Sequence, residues 1–321
     1  MKIGIIGTGA YAIAIASLLE NKNFNIMMWT KLHDEYEDLI KNHKNSKIIN
    51  YQLDKKINFT MSLETLLKEN EIIILAIPAK FVSDTIQAMK PYYKNQPIII
   101  ATKGMEINSG LFLHEYLEEA LKTKNIACLS GPTFAKDIIQ KKPVALTIAS
   151  KNENLLLIAK KIFADIDYLT TETINDIIGC ELCGILKNII AIASGILAGM
   201  NIVSSTNAKF LVDISHEIQK IIEDFNGNKH TFYSYAGLGD LILTCTSKES
   251  RNYTFGFLIG SNQDFKTYQK ETTIEGLENL NTMANILKEK KIKSSIIDIL
   301  YEIVYLSKPK EILIDYLKMK K

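Results

Sequence analysis

The chain has 321 residues, of which 47% are hydrophobic, and its formal net charge is +2. This length is enough for a large buried core and predicts about two domains of ordinary size. Lysines and acidic residues nearly balance, so the composition lacks the excess of positive charge that is typical of proteins binding nucleic acids or membrane surfaces. We therefore expect neither kind of partner.

The N-terminus runs straight into MKIGIIGTG, with no cationic segment ahead of an apolar one. This start predicts a cytoplasmic protein without a cleaved signal. The longest apolar run, residues 189–200, is interrupted by small residues and is shorter than the roughly 20 residues of a membrane span. We interpret it as a buried helix and expect no membrane insertion.

Four cysteines, Cys128, Cys180, Cys183 and Cys245, are too few for a disulfide scaffold in a chain of this length. The spacing Cys180-x-x-Cys183 is also compatible with redox or zinc chemistry, but no second pair or nearby histidine accompanies it. We interpret both residues as small apolar positions on a helix and expect no metal site.

Short β-branched runs alternate with helical stretches from residue 1 to about 169, which predicts a doubly wound, largely parallel sheet. The runs are KIGIIG, NIMMWT, IIILAIP, PIIIAT, IACLS, VALTIAS and IDYLT. The later chain has no proline between Pro143 and Pro309 and predicts long helices at about 173–200, 205–225, 272–290 and 295–306. The expected fold is α/β, with a Rossmann-like domain at 1–171 followed by an all-α domain at 172–321.

The first strand ends in Gly7-x-Gly9-x-x-Ala12 and opens directly into a helix. In such a loop the first glycine permits a tight turn, and the second lets the backbone approach a pyrophosphate at the helix N-terminus. The motif alone is also compatible with a simple strand-to-helix turn. Its position between a strand and a helix favours a dinucleotide site.

The second strand ends in Trp29-Thr30-Lys31, where many NAD sites carry an acid that binds the ribose 2′-hydroxyl. A cation at this place would pair with a 2′-phosphate, so Lys31 predicts that NADPH is accepted and leaves open whether it is preferred over NADH. The alternative is that Lys31 is only solvated.

Unusual residues also follow later strands, namely Pro78, Lys103 and the run Ser130-Gly131-Pro132-Thr133. Ligands of open α/β sheets bind outside the carboxyl ends of the strands. We therefore expect these positions to border one crevice, although Lys103 alone could also be a solvated surface lysine.

Lys187 lies in the stretch ELCGILKNIIAI, which is apolar on nearly every helical face. A lysine in a buried helix must be paired, lose its proton or face a ligand, and burial lowers its pKa toward the range of a general base. The alternative is a lysine that extends past small neighbours to the surface.

Two further residues point to the same chemistry. Asp240 follows two glycines and precedes an apolar run, so it either caps a helix or orients a buried lysine. Arg251 is the only arginine in the chain. A guanidinium group can donate two parallel hydrogen bonds to two oxygens of one phosphate, which a lysine ammonium cannot do. We predict that Arg251 binds a phosphate, unless it is an exposed arginine without a role.

These residues lie in segments that resemble the bacterial type of NAD(P)-dependent glycerol-3-phosphate dehydrogenases. The matching segments are GTGAYAIAIA, LAIPAK, ATKGME, SGPTFAKD, ELCGILKNIIAIASGI, YAGLGDLILTC, SRNYTFG and TTIEG, in the family's order and spacing. The resemblance implies reversible hydride transfer between NAD(P)H and dihydroxyacetone phosphate. The product would be sn-glycerol 3-phosphate for phospholipid synthesis.

The resemblance also implies roles for individual residues. Lys187 would be the general acid and base, with Asp240 and Lys103 beside it as further catalytic residues. The implied substrate site comprises Lys103, Gly131, Thr133, Lys187, Asp240, Ser250, Arg251 and Asn252. The implied cofactor site, for NADP or NAD, comprises Gly7, Gly9, Ala10, Tyr11, Lys31, Lys103, Ala135, Arg251, Thr273 and Glu275.

Two other functions are compatible with parts of this pattern. One is another two-domain NAD(P)-dependent dehydrogenase acting on β-hydroxy acids, which leaves the SRN and SGPTFAK segments unexplained. The other is an NAD(P)H-sensing regulator without turnover, which needs no buried lysine. The extended apolar helices of the second half make a homodimer plausible.

Overall fold

A computed structural model of the chain describes residues 1–20, 22–48, 50–202 and 204–319. Within these residues the strands β1 to β8 are Lys2–Ile6, Asn25–Trp29, Asn58–Thr60, Ile72–Leu75, Ile98–Ile100, Ile126–Ser130, Val144–Ala149 and Leu169–Ile174. The helices α1 to α7, which lie among these strands, are Ala10–Leu19, His33–Asn42, Leu63–Glu69, Val82–Met89, Leu113–Leu121, Ala135–Ile139 and Glu153–Phe163. The helices α8 to α15 follow as Ile177–Gly199, Ser204–Asp224, Asp240–Thr246, Arg251–Gly260, Phe265–Glu271, Glu275–Lys290, Ser295–Tyr305 and Ile312–Met319.

The strands form one sheet in the order β3-β2-β1-β4-β5-β6-β7-β8. All neighbouring strands pair in parallel except β6 and β7, which are antiparallel. Strand order reverses at β1, which lies between β2 and β4, and ligands of such sheets bind at that point. The predicted Rossmann-like sheet is therefore confirmed, and the glycine motif follows its central strand.

The sheet forms because its strands are continuous runs of branched aliphatic residues, which suit a parallel sheet covered on both faces. Ile3, Ile5 and Ile6 of β1 are fully buried. Helix α1 packs against the sheet through a series of alanines and isoleucines that are also buried. Strand β3 was not predicted, because only three residues at the edge of the sheet form it.

The chain divides into two compact units. The first unit comprises residues 1–102 and 111–177, and the second comprises residues 103–110 and 178–321. The last strand, β8, continues to Ile174, so α8 begins at Ile177 rather than near residue 173 as predicted. The β-branched residues of LTTETI explain the difference, because they favour an extended strand over a first helical turn.

Except for its last residue, the apolar run 189–200 lies in helix α8, which as a whole is long and apolar enough, by length and composition alone, to cross a membrane. However, 94% of its most apolar 18-residue window is buried inside the protein, as in the core helix of a globular protein. Its backbone also meets that of α11 closely. A Cβ added to Gly256 would lie 2.0 Å from the carbonyl oxygen of Ile192, so only glycine permits this approach.

Candidate active site

The glycine loop of the first unit has the shape that a pyrophosphate requires. Gly7 has φ +123°, and a Cβ there would lie 2.3 Å from the carbonyl oxygen of Ala76. Gly9 precedes α1, and a Cβ added to it would meet no atom within 4 Å. Gly9 is the N-cap residue of α1 and, having no side chain, does not cap the first turn of the helix. The open space and the uncapped N–H groups fit a dinucleotide phosphate.

Other predicted ligand residues of the first unit lie close to this helix. The Tyr11 hydroxyl is 3.1 Å from the Thr133 hydroxyl, which joins the start of α1 to the loop after β6. Gly131 lies in that loop, where a Cβ would come within 2.4 Å of the Ala145 carbonyl oxygen. Ala135 begins α6, which packs against α1. The structure thus brings Tyr11, Thr133 and Ala135 together, and their roles as ligand contacts stay predictions.

Lys31 lies directly after β2 and is exposed. The residue before it, Thr30, is buried, and its hydroxyl donates to Oε2 of Glu35 at 3.4 Å. Trp29 is fixed by a hydrogen bond of 3.0 Å from its indole nitrogen to the Met61 carbonyl oxygen. Whether Lys31 pairs with a 2′-phosphate stays a prediction.

The second unit contains a lysine–aspartate cluster formed by Lys103, Lys187, Asp240 and Thr244. The Lys187 ammonium donates to Oδ1 of Asp240 at 2.6 Å and to the Thr244 hydroxyl at 3.0 Å. The Lys103 ammonium donates to Oδ2 of Asp240, also at 2.6 Å. One carboxylate therefore orients two ammonium groups, and the predicted catalytic residues lie together.

Each member reaches the cluster from a separate element. Lys187 lies in the middle of the buried helix α8, and Lys103 follows β5 at the start of the segment that packs with the second unit. Asp240 is the first residue of α10 and comes directly after a π-helical turn at Tyr235–Gly239. Thr244 lies one turn later on the same face of α10, so its hydroxyl also reaches Oδ1 of Asp240, at 3.2 Å.

The pKa of Lys187 is lowered from 10.5 to about 8. Burial is the largest cause, the Asp240 carboxylate opposes it, and the positive charge of Lys103 adds to the lowering. Burial also disfavours ionisation of the Asp240 carboxyl. The two lysine ammonium groups outweigh that effect, so the pKa of Asp240 lies below its usual range. The cluster thus pairs a firmly ionised carboxylate with an amine that gains and loses its proton near neutral pH.

This geometry excludes two alternatives left open by the sequence. Lys187 does not extend to the surface, since its residue is only 8% exposed. Asp240 does not cap α10, because Gly239 occupies the capping position and the carboxylate oxygens accept from the two lysines. A positioned amine with a lowered pKa can donate a proton to, or accept one from, a bound oxygen.

An amide–carboxylate network begins at Asn188, the residue after Lys187. Its other members are Arg251, Asn252 and Glu275. Asn188 donates to Glu275 at 3.2 Å, and Asn252 donates to the Asn188 side-chain oxygen at 3.0 Å. A guanidinium nitrogen of Arg251 lies 3.8 Å from the other Glu275 oxygen. The network thereby connects α8, α11 and α13 and positions Arg251.

The remaining predicted residues of this region surround that network. Ser250 is buried and caps α11, accepting from the Tyr253 backbone at 3.2 Å. Arg251 is the first residue of α11, and its side chain is 52% exposed. Thr273 lies two residues before Glu275, which begins α13. The half-exposed guanidinium beside a helix N-terminus is compatible with an anion ligand.

The sequence reasoning missed two members of these groups. Thr244 stands four residues after Asp240, a spacing that places both on one helical face, and this pattern could have revealed it. Asn188 follows Lys187 directly. A polar pair in an otherwise apolar helix was the available signal, because buried polar side chains are almost always hydrogen-bonded.

The four cysteines are buried, and Cys180 and Cys183 both lie on α8, as expected of small apolar positions. Burial raises the pKa of the Cys245 thiol to about 12. Across the described part of the chain, no group of three or more His, Cys, Asp or Glu side chains could bind a metal ion.

Comparisons with known proteins identify the family of the chain. Residues 2–156 match the family model for the NAD-dependent glycerol-3-phosphate dehydrogenase N-terminus, and residues 176–315 match the one for its C-terminus. A glycerol-3-phosphate dehydrogenase of Staphylococcus saprophyticus is 31% identical over 315 residues, covering 96% of this chain and 95% of the relative. One of Leptospira biflexa is 31% identical, with 97% and 96% covered.

The fold gives the same result. The crystal structure of glycerol-3-phosphate dehydrogenase from Coxiella burnetii superposes with a TM-score of 0.94 at 27% identity, covering 99% of each chain. Together with the two relatives and the glycine loop, this similarity shows that the chain belongs to the NAD-dependent glycerol-3-phosphate dehydrogenase family.

Proposed function

We propose that this protein interconverts dihydroxyacetone phosphate and sn-glycerol 3-phosphate by hydride transfer with NAD(P)H. The observation that carries the proposal is the lysine–aspartate cluster, in which the buried Lys187 amine has a pKa of about 8 and a fixed orientation. The names of the relatives support the substrate and the use of NAD or NADP.

The nicotinamide of a dinucleotide held at Gly7 and Gly9 would supply the hydride to C2 of the ketone, or accept it from C2 of the alcohol. In reduction the ketone oxygen gains an electron pair, and the Lys187 ammonium stabilises it and transfers a proton to it. Lys187 is then a neutral amine and regains a proton from solvent. In oxidation the neutral amine accepts the hydroxyl proton, and Asp240 stabilises the ammonium that forms.

The glycine loop would bind the cofactor. Gly7 and Gly9 leave space for the pyrophosphate, and the N–H groups at Ala10 and Tyr11 would donate to it. Ala135, Thr273 and Glu275, with Lys31, Lys103 and Arg251, complete the proposed cofactor contacts. Either NAD or NADP is compatible with this loop.

Arg251 would bind the substrate phosphate, because its guanidinium can donate two parallel hydrogen bonds to phosphate oxygens. It also lies at the N-terminus of α11, where backbone N–H groups favour an anion. Glu275 lies 3.8 Å from the guanidinium, and the Asn252 side-chain oxygen accepts from the Gly276 backbone at 2.8 Å, which fixes the start of α13. Ser250, Gly131 and Thr133 are the further proposed substrate contacts. This arrangement explains the single arginine in a chain otherwise rich in lysine.

We assign dinucleotide binding to residues 1–171 and substrate binding to the helical residues 172–321. The two compact units divide the chain a few residues later, after residue 177, and include residues 103–110 in the second unit. The proposed role is supply of glycerol phosphate for phospholipid synthesis in the cytoplasm, where four buried thiols suit a reducing compartment.

We also propose a homodimer, supported by exposed apolar side chains of the second unit such as Val212 and Tyr233. Light scattering tests the last point.

One assay tests the proposed activity. NADH or NADPH absorbance is followed after addition of dihydroxyacetone phosphate and, separately, of unphosphorylated dihydroxyacetone. We expect loss of absorbance with the phosphate ester and little loss with the free ketone. No turnover of the ester would contradict the proposal, and equal turnover of the free ketone would show that the site does not recognise the phosphate.

A further inference from the structure

Glu35 lies against the glycine loop although it stands on α2. Its Oε2 accepts a hydrogen bond of 2.5 Å from the hydroxyl of Thr8, the residue between Gly7 and Gly9. The same oxygen lies 3.4 Å from the hydroxyl of Thr30, which follows β2. The carboxylate is therefore at the carboxyl ends of β1 and β2.

The position of this carboxylate is fixed on several sides. Thr8 and Thr30 are each 4% exposed, and the Glu35 side chain is 16% exposed. Lys47 forms an ion pair with Oε1 of Glu35. Asn45, which is buried, donates to the Thr8 carbonyl oxygen at 3.0 Å and accepts from the Lys47 backbone at 2.9 Å. The glycine loop, the first turn of α2 and residues 45–47 thus form one hydrogen-bonded unit.

The carboxyl end of the second strand is where this type of fold receives the adenosine ribose. An acid there accepts a hydrogen bond from the 2′-hydroxyl of NAD, whereas NADP requires a group that tolerates a 2′-phosphate. Residues 29 to 31 contain no acid. Glu35, on the next helix, places a carboxylate beside Thr30 at this end of the strand.

We propose that the Glu35 carboxylate accepts a hydrogen bond from the ribose 2′-hydroxyl and makes NADH the preferred cofactor over NADPH. This inference rests on the dinucleotide site of the proposed function. A 2′-phosphate at the same place would bring a second negative group against the carboxylate, and the nearby cation of Lys47 is already paired with it.

Lys31 does not cancel this effect. It is exposed after β2, and water screens an exposed charge far more than a partly buried one. Its ammonium can still attract a 2′-phosphate from the solvent side. NADPH is therefore accepted, but more weakly than NADH.

Binding of each dinucleotide can be measured without turnover, because the single tryptophan, Trp29, is the last residue of β2 and stands next to Thr30. Quenching of its fluorescence is titrated with NADH, NADPH and 2′-deoxy-NADH, and calorimetry confirms each dissociation constant. The full-length protein is compared with Glu35→Gln, which keeps the shape and removes the charge. Glu37→Gln is the matched control, since Glu37 lies on the same helix and is 61% exposed, with an oxygen 3.9 Å from the His33 ring.

We expect the unmodified protein to bind NADH about 10- to 100-fold more tightly than NADPH, the range of one hydrogen bond to a charged group. Glu35→Gln should remove most of that ratio, and Glu37→Gln should retain it. Loss of the 2′-hydroxyl should weaken binding to the unmodified protein and change little in Glu35→Gln.

Tighter binding of NADPH, or an unchanged ratio in Glu35→Gln, would overturn the inference and leave the dinucleotide site intact. Absence of binding for either dinucleotide would overturn both the inference and the proposed function. If circular dichroism shows that Glu35→Gln does not fold, the inference is tested by the dissociation constants of the unmodified protein for NADH, NADPH and 2′-deoxy-NADH.

Discussion

The Lys187 ammonium lies 2.6 Å from a carboxylate oxygen of Asp240, and the two side chains are only 10% and 1% exposed. Fifty-three positions separate these residues along the chain. Two opposite charges at this distance in a buried place strongly affect each other's protonation. The chemistry of the site therefore depends on the pair rather than on either residue alone.

The first prediction concerns pH. Reduction needs the Lys187 ammonium, whose pKa is lowered to about 8, mainly by burial. Below that pH the amine is protonated, so kcat/KM for reduction should be flat, and above it the value should fall about tenfold per pH unit. Oxidation needs the neutral amine and should show the opposite slope. A reduction profile that stays flat to pH 10 would contradict the assignment.

The second prediction is that Asp240→Asn destabilises the protein and shifts its pH profile. Removing the carboxylate leaves two buried ammonium groups side by side, and breaking a buried pair typically costs about 3–5 kcal/mol. Asp240 raises the pKa of Lys187, so its loss should move the fall in reduction rate to lower pH. Urea unfolding and a kinetic pH series measure the two effects.

The matched control for this variant is Asp213→Asn. Asp213 pairs with Lys209 along the surface of α9, where such a pair contributes about 1 kcal/mol or less. Its unfolding free energy and pH profile should stay close to those of the unmodified protein. Equal destabilisation by both variants would show that burial of the Asp240 pair has no special effect.

The third prediction concerns the phosphate. Arg251→Lys retains the charge but loses the two parallel hydrogen bonds, so KM for dihydroxyacetone phosphate should rise about 10- to 100-fold. Turnover of unphosphorylated dihydroxyacetone should change little, because that ketone has no phosphate to accept the two hydrogen bonds of the guanidinium. An unchanged KM for the ester would exclude Arg251 as the phosphate ligand.

The fourth prediction separates two glycines of one loop. Gly7→Ala forces a side chain into a positive φ and against the Ala76 carbonyl oxygen, so it should destabilise the fold by about 1–3 kcal/mol or more. Gly9→Ala places its methyl group in open space and should leave the melting temperature nearly unchanged. The same methyl should weaken dinucleotide binding, measured through Trp29 fluorescence. Normal binding by Gly9→Ala would show that the pyrophosphate lies elsewhere.

Much of the fold could be predicted from local patterns. Continuous aliphatic runs such as IIILAI have few alternatives to buried parallel strands, and GTG between strand and helix marks the central crossover. Strand β3 and the exact start of α8 could not be predicted in this way. Both depend on edge pairing between strands, which a short stretch of sequence does not specify.

The candidate site was predictable to a lesser degree. An apolar helix with one lysine indicates that Lys187 needs a partner, but the pattern does not identify Asp240 as that partner. Glu35 was not found, because its carboxylate reaches the glycine loop from α2 rather than from the end of β2. Contacts between residues far apart in sequence follow from tertiary packing, which periodicity does not encode.

The most direct test of the central claim is the turnover number of Lys187→Ala with dihydroxyacetone phosphate. Loss of a general acid typically lowers the rate about 10²- to 10⁴-fold. We predict a loss of that size with unchanged dinucleotide binding at Trp29, while Lys220→Ala, at an exposed pair on α9, should have normal turnover. A near-normal kcat for Lys187→Ala would contradict the account.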